Sequence, residues 1–218
     1  GIRLTDDTAF AVVTGKSVIT GAAGDGIATQ GASLQVADAT IETTGGDGIH
    51  AEGVGLTTAN NCVWVQGATI RNTTGDGIVA INSNLRVERL DAADPTSQVT
   101  LIQNTGAFGI RAAADVAMPG DMLVLVDSAT ISGVDTGIAV AANQDVAFFT
   151  TPTIDFTATN NTITTSDGGT GISVSGVFDP TPGFPGARLS VVNSAITGNS
   201  ISVGTGSGIL LNTVGGPA

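Results

Sequence analysis

One dipeptide recurs along this chain at spacings that leave few folds open. Gly-Ile occurs at Gly1-Ile2, Gly26-Ile27, Gly48-Ile49, Gly77-Ile78, Gly109-Ile110, Gly137-Ile138, Gly171-Ile172 and Gly208-Ile209. Successive isoleucines are 25, 22, 29, 32, 28, 34 and 37 residues apart. A repeat of this length is one supersecondary unit, unable to bury its apolar face without a stacked neighbour. The shortest spacing reads as the bare unit, and longer ones carry loops.

Two further elements accompany the dipeptide. Ile41, Ile70 and Ile102 each lie 8 residues before the next Gly-Ile isoleucine. Val18 and Ile163 lie 9 before it, Ile131 lies 7 before, and Ile196 lies 13 before, which implies an insertion around Gly198–Val203. Upstream of all but Ile102 stands a turn residue: Gly15, Asp38, Gly67, Ser128, Asn160 and Asn193. Alternating apolar runs precede the turns: Ala11-x-Val13, Leu34-x-Val36, Val63-x-Val65, Leu85-x-Val87, Val124-x-Val126, Phe156-x-Ala158 and Leu189-x-Val191. Alternation of period two in β-branched residues, bounded by turn formers, specifies short half-buried strands. Each unit therefore reads strand, turn, strand, Gly-rich corner, strand, loop. The expected architecture is all-β: a right-handed single-stranded parallel β-helix (a β-solenoid) of about seven coils, three short strands per coil, forming one domain over residues 1–218. The Gly before each Ile is expected to turn the chain through positive φ, which glycine accepts without Cβ strain.

Composition agrees with strands. Gly supplies 31 of 218 residues, there is one Lys and no Tyr, and charged residues are 12%. The net charge of −12 disfavours nucleic acid, since no basic patch can displace counterions, and disfavours an anionic membrane surface. No apolar run approaches the length of a membrane-spanning helix. Cys62 is the single cysteine, which excludes an intrachain disulfide.

The units resemble the parallel β-helix repeat of pectin-lyase-like proteins and of autotransporter or adhesin-type bacterial surface passengers. The resemblance is carried by Ala39-Thr-Ile-Glu-Thr-Thr-Gly-Gly-Asp-Gly-Ile49, Ala68-Thr-Ile-Arg-Asn-Thr-Thr-Gly-Asp-Gly-Ile78, Ala129-Thr-Ile-Ser-Gly-Val-Asp-Thr-Gly-Ile138 and Asn161-Thr-Ile-Thr-Thr-Ser-Asp-Gly-Gly-Thr-Gly-Ile172. It implies display outside a bacterial cell. It says little of activity, because one scaffold hosts enzymes, adhesins and fibres.

Asp25, Asp47 and Asp76 occupy one corner in register, followed by Phe108, Thr136, Thr170 and Ser207. Three stacked carboxylates could hold Ca²⁺, or serve as solvated turn residues; no other cofactor is expected. His50 points outward, with Glu52 beside it and no acid cluster around it. The acidic and basic constellations that the resemblance implies for polysaccharide lyases and hydrolases are absent from the outward rows, Val12, Gln35, Trp64, Arg86, Leu125, Thr157, Ser190 and Arg3, Ala28, His50, Val79, Arg111, Ala139, Ser173, Leu210. Trp64 is the one Trp and is expected outside, beside Gln35 and Arg86 with Glu88 near. That group suits a protein contact or a glycan platform, or a Trp covered by a loop. Phe148, Phe149, Phe178 and Phe184, in Pro-rich loops, are further contact candidates. Both ends look uncapped, and open sheet edges invite pairing. The expectation is a non-enzymatic, extracellular structural or adhesive module that associates with itself, stacking head to tail into a filament or pairing laterally, with host or matrix glycan as a further partner. A polysaccharide-binding or polysaccharide-cleaving protein is the alternative.

Overall fold

In the computed structural model of the chain, residues 1–5, 10–54, 62–114, 122–142, 153–179, 188–189 and 191–214 are described. The first repeats give β1 (Ile2–Leu4), β2 (Phe10–Val13), β3 (Val18–Thr20), β4 (Ile27–Gln30), β5 (Ser33–Ala37), β6 (Thr40–Glu42), β7 (Ile49–Glu52), β8 (Val63–Gln66) and β9 (Thr69–Arg71). Then come β10 (Ile78–Ile81), β11 (Leu85–Glu88), β12 (Leu101–Gln103), β13 (Phe108–Ala114), β14 (Met122–Asp127) and β15 (Thr130–Ala142). The last are β16 (Thr153–Thr159), β17 (Thr162–Asp179), β18 (Arg188–Leu189), β19 (Val191–Thr197), β20 (Ser200–Ser202) and β21 (Ser207–Val214). The described structure is all-β, and its strands pair in parallel apart from the antiparallel β17–β18 contact.

The expected β-helix of three separate short strands per coil is corrected by the sheet topology. The strands gather into two large parallel sheets, of 14 and 7 strands. The smaller runs β19-β16-β14-β11-β8-β5-β2. The larger joins the Gly-Ile strands to the strands that precede them, because β15 pairs with both β12 and β13. A hydrogen-bond change at the corner accounts for the merger. In the early repeats the corner N–H groups of Asp47, Asp76 and Phe108 donate to the carboxylates of Asp25, Asp47 and Asp76, at 2.8, 2.7 and 3.1 Å. Phe108 offers no carboxylate to the next repeat, so Thr136 N–H donates to the Ala107 carbonyl at 2.9 Å. The ladder then continues through the corner, with register shifts around Val134, and one strand replaces two.

The larger sheet bends so that both of its isoleucine rows reach one core. Ile27, Ile49, Ile78, Ile110, Ile138 and Ile172 stack in register and are fully buried, as are Ile41, Ile70, Ile102, Ile131 and Ile163. Burial of such a side chain contributes about 2 kcal/mol, so the two rows and the facing Leu34, Val63, Leu85, Val124 and Phe156 dominate stability. Thr29 breaks the apolar pattern but donates to the Ala32 carbonyl at 2.6 Å, which makes its burial tolerable.

The glycines of Gly-Ile have a different role from the one expected. Gly26, Gly48, Gly77, Gly109, Gly137 and Gly171 are not among the positive-φ residues. A Cβ at each would instead collide with Cγ2 of Ile41, Ile70, Ile102, Ile131, Ile163 and Ile201 respectively. Glycine is required by the absence of a side chain, since the isoleucine of the following repeat fills that space. Positive φ appears where the turn residues stand, at Gly15, Asp38, Gly67, Ser128 and Asn160.

Three register assignments also change. Ile19, not Val18, stacks on Ile41, and Val18 faces outward, 60% exposed. Ile201 stacks on Ile163, so the last repeat keeps the common spacing and has no insertion around Gly198–Val203. The strand facing Phe156-x-Ala158 is Ser194-x-Ile196 rather than Leu189-x-Val191, Gly198 (φ 65°) makes the turn in place of Asn193, and Ala195 rather than Ser190 follows Thr157.

Candidate functional site

The outer face of the smaller sheet carries the Trp64 group. Register puts Trp64 between Gln35 and Arg86, as strand alternation requires. Trp64 Nε1–H donates to Glu88 Oε2 at 2.8 Å. The Arg86 guanidinium lies 5.2 Å from the Trp64 ring centroid and donates to Glu88 Oε1 at 2.9 Å. Glu88 is only 6% exposed, so its charge is tolerated because both carboxylate oxygens are paired. Gln35 donates to Gln66 Oε1 at 3.1 Å. Trp64 is thus half-buried, its N–H satisfied and one ring face taken by Arg86. Beside it, burial pushes the Cys62 thiol up, Arg86 opposes this, and Glu88 adds to it.

The outer face of the Gly-Ile strands is less closed. Arg3, Ala28, His50, Val79, Arg111, Ala139, Ser173 and Leu210 form one row. Along its edge run Asp25, Asp47 and Asp76. Their Oδ1 atoms accept the corner N–H groups already described, so each carboxylate closes the corner of its neighbour. Asp47 Oδ2 lies 2.8 Å from His50 Nδ1, and Asp76 Oδ2 lies 3.8 Å from Arg111 Nε. Burial raises the Asp76 carboxyl above its ordinary range; the Phe108 N–H and Arg111 oppose this, and Asp47 adds to it. Among the described residues no group of three or more His, Cys, Asp or Glu is arranged to hold a metal ion.

Among the described residues, two hollows on this face stand out. One, of about 240 Å³, is lined by Arg3, Asp25, Gln30, His50 and Glu52. The other, of about 390 Å³, has a floor of Ala113, Ala139 and Ala141, with Ile81, Phe108 and Arg111 on one side and Ser173 and Ser175 on the other. Phe148, Phe149 and Phe184 lie outside the described residues, and only the backbone of Phe178 is described, in β17.

A second polar ladder emerges from the structure alone. Asn161 is 1% exposed. Its amide donates to the Val126 carbonyl at 2.9 Å and to Asn199 Oδ1 at 2.8 Å, and its Oδ1 accepts Ala129 N–H at 2.8 Å. Asn199 repeats the contact one strand on, donating to the Ala158 carbonyl at 2.9 Å. The signal in the sequence is Asn161-Thr-Ile and Asn199-Ser-Ile, where Ala39 and Ala68 precede the same pattern earlier. No protein-family model matches the chain, and no curated protein or solved structure shows significant similarity to it.

Proposed function

We propose that this chain is a non-catalytic structural and adhesive module of a bacterial surface protein, working outside the cell and associating edge to edge with further copies of itself. The observation that carries the reading is where exposed apolar side chains gather. Ile2, Phe10, Val12 and Val18 are exposed along one edge of the two sheets, and Ile209, Leu210 and Leu211 along the other. Gly208 sharpens the point. Every interior glycine of its row receives an isoleucine, whereas a Cβ at Gly208 would meet nothing within 4 Å. An edge with unpaired backbone groups and uncovered apolar residues is a template for a further strand. The two edges differ, so the contact is heterologous and propagates. Extracellular display rests on the resemblance of the repeat to surface passengers. The polysaccharide alternative has less support, because Arg86 covers one face of Trp64 and Glu88 takes its N–H.

Sedimentation velocity over a concentration series, with electron microscopy of the same samples, tests the self-association. The expected result is growth of linear oligomers that Val12→Lys, at an exposed edge position, suppresses while the fold survives by circular dichroism. A chain that stays monomeric at its highest soluble concentration, with no filaments in the images, would overturn it.

A further inference from the structure

The larger hollow on the Gly-Ile face has the makings of a binding site, and the deciding residue is Arg111. A guanidinium carries five donors in a planar fork and usually finds carboxylate partners for them. Here Arg111 Nε is buried and has no hydrogen-bond partner. Its nearest counter-charge, Asp76 Oδ2, is 3.8 Å away, beyond hydrogen-bond reach. Asp76 is already committed through Oδ1 to Phe108 N–H, which holds the carboxylate at the corner. Phe108 supports the guanidinium from below, 6.0 Å from ring centroid to Arg111 Cζ. The side chain is therefore held in place, while its Nε–H stays unmatched among the described residues.

What surrounds it limits the ligand. Ala139 and Ser173 follow Arg111 on the two next strands, and Ala141 and Ser175 follow Ala113. Two strand spacings separate Arg111 from Ser173, roughly 10 Å. Between them the outward side chains are methyl groups, which leave a shelf too shallow for polar recognition but suited to the face of a ring. Beyond the shelf stand two hydroxyls. Charge at one end, an apolar floor and hydroxyls at the far end match a ligand with the same sequence of groups.

We propose that this hollow binds a small carboxylate with a flat apolar body and a distal hydroxyl, its carboxylate on Arg111, its body over Ala139 and Ala141, and its hydroxyl toward Ser173 and Ser175. The site is independent of edge-to-edge association, since the sheet edges lie elsewhere. Its charge pairing would be bidentate, the geometry in which arginine discriminates best.

Titration calorimetry on the intact chain, with 4-hydroxybenzoate as the probe and 4-hydroxybenzyl alcohol as its uncharged counterpart, tests the assignment. The acid is expected to bind at least about tenfold more tightly than the alcohol, the loss typical of a charge-assisted pair. Arg111→Gln is expected to remove that preference, and Ala139→Leu to remove binding of both by filling the shelf. Equal affinity for acid and alcohol, an unchanged Arg111→Gln variant, or no heat with the wild-type chain at millimolar probe would each overturn the proposal. Chemical-shift changes confined to residues near Arg111 and Ala139 distinguish binding here from binding in the smaller hollow beside His50.

Discussion

The same corner is built in two ways along this chain. In the repeats that contain Asp25, Asp47 and Asp76, a carboxylate accepts the corner N–H of the next repeat. The strands on either side, β6 and β7 or β9 and β10, end there. In the repeat that contains Thr136 a backbone carbonyl takes over, and β15 runs through the corner without interruption; β17 runs through its corner too, although the Asp167 carboxylate there accepts Thr205 N–H at 2.9 Å. The later repeats add a buried side-chain ladder elsewhere, in Asn161 and Asn199. A stack of repeats must satisfy every buried backbone group, and it can do so with side chains at a turn or with a continuous ladder. The choice decides whether three rows of strands stay apart or two of them become one curled sheet. Both halves share what neither can alter, the glycine beneath the next repeat's isoleucine.

The largest effect should come from that shared feature. A Cβ at Gly77 would stand 2.5 Å from the Gly109 carbonyl oxygen and 2.6 Å from Ile102 Cγ2. The backbone oxygen cannot move without breaking the ladder, so Gly77→Val should cost about 3 kcal/mol or more, at the upper end for overpacking. Urea unfolding measures it. Gly208→Ala is the control, because nothing stands within 4 Å of its Cβ position; the monomer should change by less than about 0.5 kcal/mol. Equal losses at the two sites would mean that the isoleucine contact is not what demands glycine.

The two ladders give the next contrasts. Asn161→Ala leaves the Ala129 N–H and the Val126 carbonyl without their buried partner and should cost about 2–3 kcal/mol. Asp47→Ala orphans one N–H, that of Asp76, in a half-buried corner, and should cost about 1–2 kcal/mol. Asp47→Asn keeps an acceptor oxygen and should recover most of the loss. If Asn fails to rescue, the charge and its His50 contact matter more than the corner bond.

Much of this architecture was legible from apolar spacing. The Gly-Ile row, the alternating runs as far as Phe156-x-Ala158 and the turns at Asp38, Gly67, Ser128 and Asn160 follow from period-two burial and turn chemistry. The number of sheets was not legible, because it depends on which acceptor a corner N–H finds, and the replacement of Asp76 by Phe108 at the next corner does not reveal that acceptor. Val18 and Ile19 are neighbours on opposite faces, which cannot be told apart until the ladder fixes their register, whereas Ile196 and Ile201 belong to different sheets because the chain turns at Gly198 between them. At the candidate sites, the Trp64–Arg86–Glu88 group followed from alternation. The Arg111 hollow did not, because it arises from small residues on three strands far apart in sequence.

The smallest effects are pH dependences of opposite sign at two different turns, the Asp76 corner and the turn at Ser128. Asp127 stands beside the turn at Ser128. Burial disfavours its charge, but hydrogen bonds from Thr159, Ser128 and Asn160, with Arg89 nearby, outweigh this and hold the carboxyl below its ordinary range. Its stabilising contribution is present above the unfolded carboxyl value of about 3.9 and is lost as pH falls through the lower folded value. Asp76 is raised by burial, so its contribution runs the other way, present below about 3.9 and lost as pH rises through the folded value. Thermal unfolding of Asp127→Asn and Asp76→Asn against wild type from acid to neutral pH reads both. The wild type should gain on the first variant and lose ground to the second as pH rises, each by less than about 1 kcal/mol after solvent screening. Asp76→Asn keeps an acceptor for Phe108 N–H, so a gain by the wild type there would show that the Arg111 charge, though 3.8 Å away, outweighs the desolvation of the carboxylate.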